Sequence, residues 1–282
     1  MLVAKDNFIV RTGKGILSFS LASVIRTALG GLNEGGESLR DTYRAVAPFY
    51  PLKYGAGRKI LALIPAVPLT YFGEVQEPMT MDLRYVDVDG TTPFRDLVAI
   101  LSLAKLQQPK AALEFGTYFG STTANLAMNL PDARIHTIDL PEDDTAASAL
   151  VEGKPIDDRH LIKGRQLGKA FRGTPLEQRI VQHQGDTATY DYSVIQDPVS
   201  FVLVDGSHTY DYARSDTLRA FSVAKGECTF LWHDCDEFNP GVLKWLVEMI
   251  RAGLPVVRIE HTVLACMNID AQDARILKLM NA

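Results

Sequence analysis

The chain is predicted to fold as an α/β protein with a doubly wound, mostly parallel sheet, and three observations predict it. From residue 91 onward, short apolar runs of strand length alternate with stretches of helical periodicity. Residues 201–204, Phe-Val-Leu-Val, are an unbroken apolar run, as expected of a parallel strand covered on both faces. Five such runs end on an acid at or just beyond the strand: Glu114, Asp139, Asp186, Asp205 and Asp234. Strands alternating with helices make a parallel sheet, whose carboxyl ends share one edge.

Residues 1–90 show no such alternation. Leu17, Leu21, Val24, Ile25 and Ala28 fall on one helical face that Gly30-Gly31 would stop, and glycines and prolines then interrupt the chain repeatedly. This part is expected to be a largely helical or irregular extension, a lid that shapes a site, with the main domain at 91–282. Thr92-Pro93 opens a helix carrying Phe94, Leu97, Val98, Leu101 and Ala104 at helical spacing. Residues 111–115 form a strand, Gly116 and Gly120 permit a close turn, and residues 121–130 continue as helix. A second strand covers 134–140. The polar connection 141–173 contains an expected helix at 159–171. Strands at 179–183, 201–205 and 228–232, helices at 210–223 and 241–251, and a closing pair of strands at 256–259 and 262–267 complete the pattern.

Composition excludes several classes of function. The net charge of −5 comes from scattered charges without a basic run, so no nucleic-acid surface is expected. Cys228, Cys235 and Cys266 have neither metal-ligand spacing nor a disulfide framework, which fits a reducing cytoplasm. No secretory leader is read at the N-terminus. The apolar run 60–72 contains Pro65 and Pro68 and falls short of the roughly 20 residues that span a bilayer, so no stable membrane insertion is expected.

Five acids on one sheet edge call for a ligand rich in hydroxyls and amines, or for a cation, because unpartnered carboxylates repel. The strand-turn-helix at 111–124 is the arrangement that receives a nucleotide-like ligand. Asp139 lies 25 residues after Glu114, near the distance at which an acid meets ribose hydroxyls. A nicotinamide site is disfavoured, since the turn lacks Gly-x-Gly-x-x-Gly spacing.

Across about residues 92–268 the sequence resembles class I S-adenosylmethionine-dependent methyltransferases, most closely bacterial small-molecule O-methyltransferases of the macrocin type and more distantly the catechol type. The resemblance rests on Leu113-Glu-Phe-Gly-Thr-Tyr-Phe-Gly-Ser-Thr122, Thr137-Ile-Asp-Leu-Pro141, Gly185-Asp-Thr187, Phe201-Val-Leu-Val-Asp-Gly-Ser-His-Thr-Tyr210 and Leu231-Trp-His-Asp234, in that order. It implies a Rossmann-like sheet of seven strands with the last antiparallel, and S-adenosyl-L-methionine as cofactor. Glu114, Gly116, Thr117, Tyr118, Phe119, Gly120 and Ser121 would line the methionine part. Asp139 and Leu140 would meet the ribose, and Asp186 and Thr187 the adenine. Asp205, Gly206 and His208 would lie between cofactor and acceptor.

In the metal-dependent branch a second ligand pair follows the first aspartate by 28 and 29 residues, where this chain has His233 and Asp234. Asp205, His233 and Asp234 would then hold Mg, Mn or Zn, although imidazole departs from the oxygen ligands Mg²⁺ prefers. The alternative is no metal, with His233 as base. His208 is the sharper candidate base, because imidazole accepts a proton near neutral pH. The implied activity is methylation of a small-molecule hydroxyl on a sugar, phenol or natural-product intermediate. N-methylation, another use of the same cofactor, and a non-catalytic cofactor-binding scaffold stay open, as does a homo-oligomer.

Overall fold

A computed structural model of the chain describes residues 51–88, 90–142 and 166–281. The chain divides into two compact units, residues 1–54 with 87–89 and residues 55–86 with 90–282. The second contains the whole sheet. Residues 55–86, read from the sequence as extension, therefore belong to the same unit as the strands. The amphipathic stretch at 17–28 lies outside the described residues.

The elements run α1 (Pro51–Leu61), β1 (Ala66–Val67), α2 (Phe94–Gln107), β2 (Ala111–Phe115), α3 (Ser121–Asn129), β3 (Arg134–Asp139), β4 (Ile180–Gln184) and β5 (Val199–Val204). They continue as α4 (Tyr210–Val223), β6 (Ala224–Trp232), α5 (Pro240–Arg251), β7 (Val257–Ile259), β8 (Ala265–Asp270) and α6 (Ala274–Met280). The sheet order is β1-β7-β8-β6-β5-β2-β3-β4. Only β8 pairs antiparallel with its neighbours, β6 and β7; all other pairs are parallel.

The doubly wound class is as expected, but the sheet has eight strands where seven were expected. The addition is β1, two residues that pair with β7 at its outer edge, Ala66 beside Arg258 and Val67 beside Ile259. Pro65 and Pro68 flank it, and an edge strand is where a sheet tolerates prolines, so its pattern is too short to stand out in the sequence. The expected helix at 159–171 is also corrected within the described residues, because 167–173 form turns. Gly168 is left-handed (φ +68°), and the amides of Gly168 and Ala170 donate to the carbonyls of Tyr118 and Phe119 at 2.9 and 2.8 Å. Bonding to the glycine turn replaces bonding along a helix.

Strand alternation separates two apolar layers, one on each sheet face. Leu113, Phe115, Val202, Val204 and Trp232 face one layer, which α4 and α5 close with Phe221, Leu243 and Trp245. Ala112, Phe201, Leu203 and Leu231 face the other, closed by Leu97 and Leu101 of α2 and Leu126 of α3. In the first layer Thr217 is a polar hub. Its Oγ1 accepts from the indole nitrogens of Trp232 (2.8 Å) and Trp245 (2.9 Å) and donates to the Ala213 carbonyl (2.6 Å). Among the described residues no helix is long and apolar enough to cross a membrane.

Thr217→Val keeps the shape of the hub but strands two buried indole N–H groups. At about 1–3 kcal/mol for each unsatisfied donor, urea unfolding is expected to show a loss of about 2–6 kcal/mol.

Candidate active site

The site starts where β2 and β5 end side by side. Gly116, just past β2, is left-handed (φ +97°), and a Cβ there would stand 2.1 Å from the Asp205 carbonyl oxygen. Only glycine fits. Its amide donates to Ile138 O at 2.8 Å, which binds the turn to β3 as well. Two residues on, Tyr118 is itself left-handed (φ +45°), an uncommon state for a side-chain-bearing residue, and its amide donates to Asp139 Oδ2 at 2.8 Å. Asp139 Oδ1 accepts from the Leu140 amide at 2.7 Å. Gly120 opens α3 (φ +73°), and a Cβ there would meet the Phe171 ring at 2.5 Å. The ring of Phe119 lies 4.3 Å from that of Tyr118 and 5.6 Å from that of Tyr85.

Glu114 is buried, 2% exposed, and its Oε2 accepts from the hydroxyls of Thr123 and of Thr137 (2.7 Å). Thr117 and Thr137 share a further hydrogen bond of 2.8 Å. The carboxyl therefore ties β2, β3, α3 and the turn together. Burial pushes its pKa up to about 8, outweighing the two hydroxyls that favour the ionised form.

At the end of β4, Asp186 Oδ1 accepts from the Ala188 amide (2.9 Å) and Oδ2 from the Tyr212 hydroxyl (2.8 Å), while the Thr187 carbonyl accepts from the Tyr192 hydroxyl (2.9 Å). Beneath this turn runs a chain that sequence reasoning missed. Asp197 Oδ2 lies 2.8 Å from His136 Nε2, His136 Nδ1 lies 2.9 Å from His183 Nε2, and His183 Nδ1 lies 2.8 Å from the Tyr190 hydroxyl. Burial, with the neighbouring His136, pushes the His183 pKa down to about 4, so this ring is neutral at physiological pH.

The ends of β5 and β6 carry the densest group. The ligand atoms of Asp205, His208 and Asp234 all lie within 4.8 Å of one another, and His208 Nε2 is paired with Asp234 Oδ2. Asp234 is held left-handed (φ +59°) in the tight step off β6. His208 is set by its loop. A Cβ on Gly241, near the start of α5, would lie 2.6 Å from both the His208 carbonyl oxygen and the Tyr210 amide nitrogen, so the helix packs directly on that loop.

His233 is buried behind this group. Its Nδ1 is 3.1 Å from Asp205 Oδ1 and 3.3 Å from Asp234 Oδ2, out of line for a hydrogen bond, and its Nε2 is 3.1 Å from Asp96 Oδ2. Burial opposes a charge on the ring, but Asp205 and Asp234 outweigh it and hold the pKa well above the usual imidazole range. An imidazolium has no lone pair, so only the deprotonated ring could serve as base or ligand. Asp96, buried on α2, also accepts from the Val263 amide (3.3 Å). Its position 137 residues from His233 gave no sequence signal. The structure thus gathers Asp205, His208 and Asp234, with His233 beside them. The glycine turn, Asp139 and the Asp186-Thr187 turn sit at neighbouring strand ends of the same sheet edge.

A methyltransferase-domain family model matches residues 113–235, from within β2 to just past Asp234. This stretch is a methyltransferase domain. The match agrees with the resemblance to class I S-adenosylmethionine-dependent methyltransferases drawn from the sequence motifs. No curated protein matches the chain in sequence. Among solved structures the chain is similar to the O-methyltransferase TomG from Streptomyces achromogenes in complex with S-adenosylmethionine, at 19% identity, covering 64% of this chain and 82% of that one, with a TM-score of 0.44. It is also similar to CalS11, a TDP-rhamnose 3′-O-methyltransferase, at 14% identity, 76% and 93% coverage and a TM-score of 0.45. An O-methyltransferase from Bacillus cereus in complex with S-adenosylhomocysteine matches at 12% identity, 80% and 96% coverage and a TM-score of 0.41.

The raised pKa of Glu114 makes a stability prediction. Between about pH 5 and 8 the folded domain holds a proton there that the unfolded chain has released, so unfolding free energy falls as pH rises across that window. Glu114→Gln should flatten this dependence. Denaturant titrations of both proteins at pH 5, 6.5 and 8 are expected to show wild type losing ground to the variant as pH rises.

Proposed function

We propose that the domain transfers the methyl group of S-adenosylmethionine to a hydroxyl of a small molecule, with His208 as the general base. The observation that carries this reading is the His208–Asp234 pair beside Asp205, at the strand ends of a methyltransferase domain. The cofactor supplies a methyl carbon already activated by its sulfonium, so the protein has to align an in-line attack and remove one proton.

The glycine turn, residues 116–120, would receive the methionine part, its backbone fixed by Ile138, Asp139 and the 168–170 amides. Asp139, fixed by the Tyr118 and Leu140 amides, would meet the ribose hydroxyls, as the resemblance implies. Asp186 and Thr187 would flank the adenine, held in place by Tyr212 and Tyr192. Glu114 acts behind the turn, as the tie between Thr123 and Thr137, and supports the methionine subsite from there.

At the acceptor, Asp234 holds the His208 ring through Nε2. In the neutral tautomer that donates Nε2–H to this carboxylate, Nδ1 carries the lone pair that takes the hydroxyl proton. His233, fixed as an imidazolium by Asp96, Asp205 and Asp234, offsets part of the negative charge of the group.

The same geometry supports a metal-assisted form of the reaction. Asp205, His208 and Asp234 would hold a divalent ion, His208 taking the place the sequence motif suggested for His233. One nitrogen and two carboxylates suit Mn²⁺ or Zn²⁺ better than Mg²⁺. Such an ion would lower the pKa of the acceptor hydroxyl.

Titration calorimetry with S-adenosylhomocysteine is expected to show binding, and labelled S-adenosylmethionine should transfer its methyl group to members of a panel of sugar and phenol hydroxyls. His208→Ala should cut turnover at least about 100-fold while leaving S-adenosylhomocysteine affinity within twofold. An unchanged rate rules His208 out as base. Binding without transfer to any hydroxyl favours an amine acceptor or a scaffold role. In the metal-assisted form, EDTA-treated enzyme loses activity and Mn²⁺ restores it; activity unaffected by EDTA leaves the metal-free form.

A further inference from the structure

Asp216 lies in α4, one turn after Tyr212, and is 1% exposed. Among the described residues neither of its carboxylate oxygens has a hydrogen bond of good geometry, although the Thr187 hydroxyl is close enough to act on it. A buried carboxylate left in that state is costly, and native proteins rarely keep one without a use for it. Its surroundings suggest the use. A Cβ on Gly206, the residue after Asp205, would stand 3.2 Å from Asp216 Oδ2, so the carboxylate is packed against the 205–208 loop at its glycine. From the other direction comes the turn after β4. Burial pushes the Asp216 pKa up to about 7, with the Asp186 carboxylate acting in the same direction and the Thr187 hydroxyl favouring the ionised form. Tyr212, on the same face of α4, donates its hydroxyl to Asp186. Asp216 thus stands between the turn expected to take the adenine and the loop that carries Asp205 and His208.

We propose that Asp216 is a positioning residue of the cofactor crevice, whose buried carboxylate gains its hydrogen bonds from the N–H and O–H groups of the 185–187 turn and the 206–208 loop when the cofactor seats between them. It makes no contact with the cofactor itself. Binding draws the two segments onto one acceptor beneath them, and the cost of the unsatisfied carboxylate in the free protein is relieved in the complex. This inference rests on the reading that the crevice binds S-adenosylmethionine.

The test uses the full chain and S-adenosylhomocysteine as probe. Asp216→Asn keeps the volume and removes the buried charge, and Asp216→Ala removes the acceptor altogether. Both free variants are expected to melt no lower than wild type. Each should bind S-adenosylhomocysteine at least fivefold more weakly by calorimetry. In hydrogen exchange, the probe should slow the amides of Gly206, Ser207 and His208 in wild type but not in the variants. Affinity within twofold of wild type with the same protection overturns the proposal. So does a loss of affinity matched by a lower melting temperature of the free protein, the mark of an ordinary structural role. Wild type that fails to bind the probe overturns the cofactor reading together with this one, whereas wild type that binds beside unaffected variants overturns this one alone.

Discussion

The contact between Gly116 and the carbonyl of Asp205 is the constraint on which the site depends. Two parallel strands end at the same level, and their outgoing backbones approach until no Cβ can stand between them. Past that point they diverge, β2 into the turn that leads to α3 and β5 into the loop that leads to α4. A crevice opens between diverging segments, and its floor is backbone held by hydrogen bonds across three neighbouring strands. The side-chain groups on the rim are arranged around that floor. A larger residue at 116 would separate β5 from β2 and carry Asp205 and His208 away from the glycine turn.

Electrostatics forms a second layer of organisation. Asp96, Asp205 and Asp234 surround His233, and removing so many charges from water would be prohibitive without the opposite charge among them. In the proposed mechanism the imidazolium belongs to the architecture, and His208 supplies the lone pair for proton transfer. Two adjacent positions in sequence, 233 and 234, thus have different settings: one lies buried among three carboxylates, the other pairs with His208. Buried Glu114 shows the opposite solution to the same problem. With hydroxyls and no cation at hand, burial raises its pKa until the neutral form is within reach at physiological pH.

Much of this was legible in the sequence because it is local. A strand, its terminal acid and the following glycine are contiguous, and each of the five acidic strand ends could be placed on one edge from alternation alone. Partners drawn from distant elements were not legible. Asp96 reads as a polar residue in the first turn of a helix, and only the fold brings α2 to β6. Asp216 is buried against Gly206, a neighbour that only the fold supplies. The His136–His183 pair needs the register of β3 against β4 to become visible. The edge strand β1 is two residues long, below the length at which periodicity carries information. The turn at 167–173 defeated the helical pattern because its amides bond to another segment.

That last turn has a consequence for how the protein could diversify. The connection between β3 and β4 leaves the sheet at Asp139, which accepts from the glycine turn, and returns through Gly168 and Ala170, whose amides donate to the same turn. Its two ends also hold each other, through the Glu142 carboxylate and the Leu167 amide at 2.9 Å. The two ends of the connection thus form a closed clasp on the glycine turn. The entropy of closing an excursion grows only slowly with its length. Residues could be added, removed or exchanged there with little mechanical effect on the turn. A change in the length of the connection would thus leave the hydrogen bonds that hold the glycine turn in place.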